Sequence, residues 1–293
     1  MNVIHTEKLT KYYGKSRGIS DVDLNVEKGD FFGFIGPNAA GKSTTIRTLL
    51  GLIAPTSGRA EIFGLDIASS KTDILSRIGY LPSETAFYSG MKASEMLKLS
   101  AELRGKNCDD EAKMLCERLS LDTAKRVGEL SFGNRKKLGI VCALQHRPEL
   151  YILDEPTGGL DPLMQREFYE ILKERNEQDG ATVFLSSHIL TEVQKYCKHA
   201  AVIRDGKILA CDTVEKLSHT GAKHVLLRGV NVLPSLNRIK KPVISNDSVE
   251  FLYGGDVREL MKALSALPIT DVSITEPDLE EVFMHYYEKG ESK

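Results

Sequence analysis

Phe31-Phe32-Gly33-Phe34-Ile35-Gly36-Pro37-Asn38-Ala39-Ala40-Gly41-Lys42-Ser43-Thr44-Thr45 decides the fold. An apolar run ends in the pattern G-x-x-x-x-G-K-[ST], and helical spacing follows from Lys42 to Gly51, where Gly51, Pro55 and Gly58 stop it. Small residues let backbone N–H groups curl around phosphate oxygens, and a helix that starts there adds its positive end. Gly36, Pro37, Asn38, Ala39, Ala40, Gly41, Lys42, Ser43 and Thr44 are therefore candidate phosphate-binding residues. Lys42 brings a mobile positive charge to β and γ phosphates, and Ser43 offers a hydroxyl to Mg2+.

Working outward, Val22, Leu24 and Val26 recur at period two and predict a strand, and Glu27-Lys28-Gly29-Asp30 predicts the turn after it. Residues 70 to 128 have helical periodicity and few β-branched residues, and they read as a largely helical insert. Strand and helix then alternate. Leu150 to Leu153 predicts a buried strand, Pro162 starts a helix that ends near Gly180, and Ala181 to Ser186 is another strand. A helix at 189–197 and strands at 200–204 and 207–210 complete an α/β core of parallel strands joined by helices. Beyond Ser218 the tail offers strands near 223–228, 240–244, 248–253 and 270–275, with helices near 256–266 and 278–288. The expected organisation is a domain over 1–218, with its helical insert at about 85–128, and a small α+β domain over 219–293.

Leu150-Tyr151-Ile152-Leu153-Asp154-Glu155 ends an apolar strand in adjacent carboxylates. Alone, such a pair is a solvated turn. Behind a phosphate loop it stands where α/β sheets bind ligand. Strand alternation would then point Asp154 at the metal and Glu155 at an attacking water.

The ordered motifs resemble the nucleotide-binding subunit of an ATP-binding cassette transporter, of the bacterial exporter type that pairs with a separately encoded permease. The resemblance spans about residues 1–215, and the ending Leu279-Glu280-Glu281-Val282-Phe283-Met284-His285-Tyr286-Tyr287 is similar too. It implies a P-loop NTPase cassette that binds ATP and Mg2+ and hydrolyses ATP. By that resemblance Tyr13 would stack on adenine, with Tyr12 as its competitor. Leu130-Ser131-Phe132-Gly133-Asn134 stands where the family has its signature, so Ser131 and Gly133 would contact the γ phosphate held by a second subunit. Phe132 and Asn134 depart from the usual form. Gly158-Gly159-Leu160-Asp161 matches the dimer-contact loop, and Asp161 would couple the two sites. His188 matches the switch histidine, Glu155 would orient or deprotonate the water, and Lys42 would stabilise transferred charge. Ser83, in Gly79-Tyr80-Leu81-Pro82-Ser83-Glu84, replaces the family's glutamine near the metal and is too short for the same reach without a bridging water.

Partners follow from the same resemblance: a transmembrane permease and a second nucleotide-binding subunit, identical or homologous. Lys plus Arg number 39 against 41 Asp plus Glu, a net charge of -2, which gives little drive toward nucleic acid. Five scattered cysteines with no C-x-x-C read as reduced thiols. No apolar run reaches the ~20 residues of a membrane span, so the expected place is cytoplasmic, peripheral on the inner face of the membrane through the permease. The rival readings are a non-transport cassette ATPase acting as a regulatory or nucleic-acid-associated switch, and a subunit that binds ATP without hydrolysing it. No long heptad run and a single phosphate loop disfavour the first, and Glu155 with His188 the second.

Overall fold

The computed structural model describes residues 2–218 and 223–275. Its contacts divide the chain into two units, Met1–Cys211 and Asp212–Lys293. The expected boundary at 218/219 and the expected helix at 278–288 touch residues outside the described ones.

The first unit opens with β1 (Asn2–Tyr13) and β2 (Ser16–Glu27), whose inward residues Val22, Leu24 and Val26 are buried as their spacing requires. Next come β3 (Phe31–Ile35), α1 (Lys42–Leu49), β4 (Ser57–Ile62), β5 (Leu65–Asp66), α2 (Lys71–Ser76) and β6 (Ile78–Leu81). The helices α3 (Ala93–Glu102), α4 (Asp109–Arg118) and α5 (Phe132–Leu144) follow, then β7 (Leu150–Asp154), α6 (Pro162–Asp179), β8 (Thr182–Ser187), α7 (Leu190–Tyr196), β9 (His199–Arg204) and β10 (Lys207–Thr213).

Two sheets result. The antiparallel one has the order β2-β1-β4-β5, and the other runs β10-β9-β3-β8-β7-β6 with β9, β3, β8, β7 and β6 parallel. The insert needs one correction. Ile78–Leu81, which lies inside the stretch read as largely helical, is the edge strand β6 of the parallel sheet. Gly79 makes this possible, since a Cβ there would stand 2.3 Å from the Ala143 carbonyl oxygen.

Register places the chemistry. Ile35 pairs with Ser187, Asp154 with Ser186 and Leu81 with Leu153. Four strands therefore end together, and the loops after them (the phosphate loop, Glu155, His188 and Ser83) emerge along one edge, as parallel sheets require of a ligand site. Phe184 fixes the centre of the sheet, stacked on Phe32 at 5.8 Å and tilted against Phe34 at 5.3 Å.

Salt bridges hold α4 to α6. The Arg118 guanidinium spans Glu167 and Glu174, each at 2.5 Å. Buried Arg175 pairs with Glu111 and, at 3.6 Å, with Asp179. Cys108, Cys116 and Cys197 are buried, Cys142 is half-buried, and Cys211 is exposed.

The second unit takes in the end of β10 from Asp212, then α8 (Val214–Ser218), β11 (Lys223–Arg228), β12 (Ile239–Ile244), β13 (Ser248–Tyr253), α9 (Val257–Leu264) and β14 (Asp271–Thr275). Its sheet has the order β12-β13-β11-β14. Val225, Leu227, Val249, Phe251 and Tyr253 form its core with Leu260 and Leu264 of α9.

Candidate nucleotide site

The loop between β3 and α1 is shaped by residues that tolerate close approach. A Cβ on Gly36 would stand 2.3 Å from the Ile203 carbonyl oxygen. Gly41 caps α1 at φ 110, a left-handed conformation that favours glycine, and no side chain caps the helix. The first N–H groups of α1 thus remain open to an anion.

A cavity of about 410 Å3 lies over this loop, lined by Tyr13, Arg17, Gly18, residues 37–44, Ser83 and Glu155. Tyr13 is half exposed there with Lys11 Nζ 5.5 Å from its ring centre, whereas Tyr12 does not line the cavity. Gly18 lets the ring lie down: a Cβ would meet Tyr13 Cε2 at 2.9 Å and Thr44 Cγ2 at 3.0 Å. Arg17 and Gly18 join the residues that the sequence motifs indicate. The only available signal was a basic residue and a glycine close behind a candidate aromatic.

Lys42 is buried. Its Nζ donates to Gly36 O at 2.6 Å and Pro37 O at 3.2 Å and forms an ion pair with Glu155 Oε1 at 3.1 Å. The other carboxylate oxygen, Glu155 Oε2, lies 2.7 Å from His188 Nδ1. A carboxylate only accepts, so Nδ1 carries a proton. Lys42, Glu155 and His188 thus form one line from the loop to the turn after β8.

Asp154 and Glu155 separate by a route other than the expected strand alternation. Glu155 lies past the end of β7 with φ 49, a left-handed turn that carries its side chain into the cavity. Asp154 is 1% exposed, does not line the cavity, and accepts from Ser186 Oγ at 2.5 Å. The oxygen donors Ser43, Ser83 and Asp154 suit a hard cation such as Mg2+ that keeps much of its water.

Ser131, Gly133 and Asp161 do not line this cavity. Ser131 caps α5, accepting from Asn134 N at 3.3 Å, and Asp161 caps α6, accepting from Met164 N at 3.0 Å. These two segments touch one another. Gly159 takes φ 82, and a Cβ there would stand 2.2 Å from the Phe132 ring. Phe132 is 58% exposed.

Lys136 is a further polar residue of this region, and sequence reading passed over it. It is 2% exposed, and its Nζ donates to Pro82 O at 3.3 Å and Ser83 O at 3.1 Å. Burial pushes its ammonium down to about 8, against the pull of Asp154 and Glu155. In an amphipathic pattern such a lysine reads as a solvated face.

A strand-loop-helix phosphate cradle, with a carboxylate and a histidine at neighbouring strand ends, defines a P-loop nucleotide-hydrolysing cassette. The comparisons narrow this. A family model described as ABC transporter matches residues 19–158. The chain is 45% identical over 214 residues to bacitracin transport ATP-binding protein BcrA of Bacillus licheniformis, covering 71% of this chain and 68% of that one. It is 30% identical over 292 residues to the protein of the same name from Enterococcus faecalis, covering 96% and 95%. A solved structure titled as the ATP binding subunit of an ABC transporter superposes with a TM-score of 0.70 at 30% identity, covering 73% of this chain and 91% of that one. The chain belongs to the ATP-binding subunits of ABC transporters, and its reaction is ATP hydrolysis. Among the described residues no helix is long and apolar enough to cross a membrane.

Proposed function

We propose that two nucleotide-binding subunits, this chain and an identical or homologous partner, sandwich two ATP molecules and power export through a separately encoded permease at the inner face of the membrane. The observation that carries this reading is the Lys42–Glu155–His188 line, whose first two members line the cavity over the phosphate loop. Tyr13 stacks on adenine. The N–H groups of residues 38–44 and Lys42 hold the phosphates, and Lys42 exchanges its contact with Glu155 for phosphate oxygens. Glu155 orients a water for in-line attack and accepts its proton. His188, donating through Nδ1 to Glu155, holds that carboxylate in place against the water it handles. Charge developing on the transferred group is met by Lys42 and the loop backbone. Ser43, Ser83 and Asp154 would hold Mg2+, which when bound would neutralise phosphate charge.

Ser131 and Gly133 complete the partner's γ-phosphate site from the N-terminus of α5. Asp161 couples the two sites through the packing of Phe132 on Gly159. Exposed Phe132 and Leu163 supply apolar surface for the dimer. The helical insert, about 85–128, passes the motion to the permease, and 219–293 forms an accessory domain. The names of the bacitracin transport relatives support antibiotic or other amphiphile export. The test is light scattering of the full chain in Mg-ATP. Wild type dimerises transiently, and Ser131→Arg, which puts a bulky cation against the partner's nucleotide, stays monomeric while still binding ATP. A Ser131→Arg chain that dimerises and turns over as wild type overturns the sandwich.

A further inference from the structure

We propose that Lys136 is a positioning residue for ATP hydrolysis: through the backbone of Pro82 and Ser83 it sets where the Ser83 hydroxyl stands in the nucleotide cavity and ties that segment to the helix that begins beyond Ser131. The inference deepens the reading above and rests on it.

An ammonium has three donors. Here it finds two carbonyl oxygens, at 3.3 and 3.1 Å, and among the described residues it makes no ion pair. Burying a cation on two carbonyls is unfavourable relative to an apolar side chain that packs equally well. Packing therefore does not explain a lysine at this position, and what the ammonium touches does. Pro82 and Ser83 follow β6 directly, and Ser83 lines the cavity together with Glu155. The two hydrogen bonds fix the carbonyls of Pro82 and Ser83, and with them the backbone that carries that hydroxyl.

A second observation is independent of the lysine. One turn further along α5, a Cβ on Gly139 would stand 2.7 Å from Thr85 Cγ2 and 3.0 Å from Leu81 Cδ1. The helix therefore lies directly on the residues before and after Ser83, and Lys136 clamps the part of that contact nearest the cavity. The charge also acts on Asp154 and Glu155, both of which pull it toward the protonated form. The residue thus joins the segment facing the chain's own nucleotide to the helix whose start faces the partner's. It also stiffens a position where a short serine has to serve the cavity.

The experiment measures turnover of the purified full chain against ATP and Mg2+ for wild type, Lys136→Met, Lys136→Arg, Ser83→Ala and the Ser83→Ala/Lys136→Met double variant, with a melting curve for each. A displaced hydroxyl lowers kcat about 10- to 100-fold in Lys136→Met while leaving KM for ATP within about twofold. Lys136→Arg restores most of the loss. The double variant is no slower than the slower single variant, because Lys136 has nothing left to aim once the hydroxyl is gone. If Lys136→Met does not fold, Lys136→Ala is read in its place with the same expected loss. Wild-type turnover in the Lys136 variant, or losses that multiply in the double variant, overturns the proposal. Glu155→Gln is run beside them: if it too keeps full turnover, the underlying site reading has failed rather than the role of Lys136.

Discussion

Replacing Glu155 by glutamine tests the centre of the mechanism. Glu155 holds two partners, Lys42 Nζ at 3.1 Å and His188 Nδ1 at 2.7 Å. At an effective dielectric of 20, the Lys42 pair is worth about 5 kcal/mol of Coulomb energy before desolvation. Much of that is offset, because Lys42 keeps the Gly36 and Pro37 carbonyls and gains phosphate oxygens when ATP binds. The amide also removes a negative charge that would face the γ phosphate, so ATP affinity should hold or rise. The chemical step has no such compensation. An amide accepts no proton and orients water poorly, which costs about 10²- to 10⁴-fold in kcat, or roughly 3–5 kcal/mol of barrier. Phosphate release under saturating Mg-ATP reads the rate, titration with a fluorescent ATP analogue reads affinity, and light scattering reads a dimer that persists. Turnover within about threefold of wild type, with ATP bound, would refute Glu155 as the group that handles the water.

His146 is buried with Nε2 on Ile78 O at 3.1 Å and Nδ1 unpartnered, and burial lowers its pKa to about 4. Its neutral form is favoured by folding, so the chain should lose about 3 kcal/mol of stability as pH falls from the unfolded value near 6.5 toward 4. Denaturant titrations across that range should show a smaller loss in His146→Gln. Glu111→Gln strips the buried Arg175 of a charged partner and should cost about 3 kcal/mol, read as a lower melting transition with ATP affinity retained once folded. Gly36→Ala drives a methyl to 2.3 Å from the Ile203 carbonyl oxygen and should cost about 1–3 kcal/mol or more in stability and weaken ATP binding, measured by calorimetry.

What the sequence discloses, and what it hides, divides along a physical line. The β3-to-α1 segment is legible because apolar run, glycines, lysine and helix all lie within one short window. The α6 limits are legible because Asp161, Pro162 and Gly180 are the cap, first-turn and stop residues of one helix. β1 escapes because register shifts at Asn2/Ile4, Thr6/Leu9 and Leu9/Lys11 break the period-two signal. β6 escapes because its four residues include a glycine and precede a proline, and its place depends on pairing with β7, far along the chain. Lys136 is invisible for a similar reason: its burial is made by the segment at 82–83 and not by its neighbours in sequence.

The cysteines carry a practical corollary. Burial pushes the thiols of Cys116 and Cys142 up to about 11 and 12 and raises those of Cys108 and Cys197, which leaves all of them poor nucleophiles at neutral pH. Cys211 is exposed and is the last residue of the first unit. A maleimide dye added to the native chain should therefore attach within β10 at Cys211, which gives a site-specific label with no engineered residue at all.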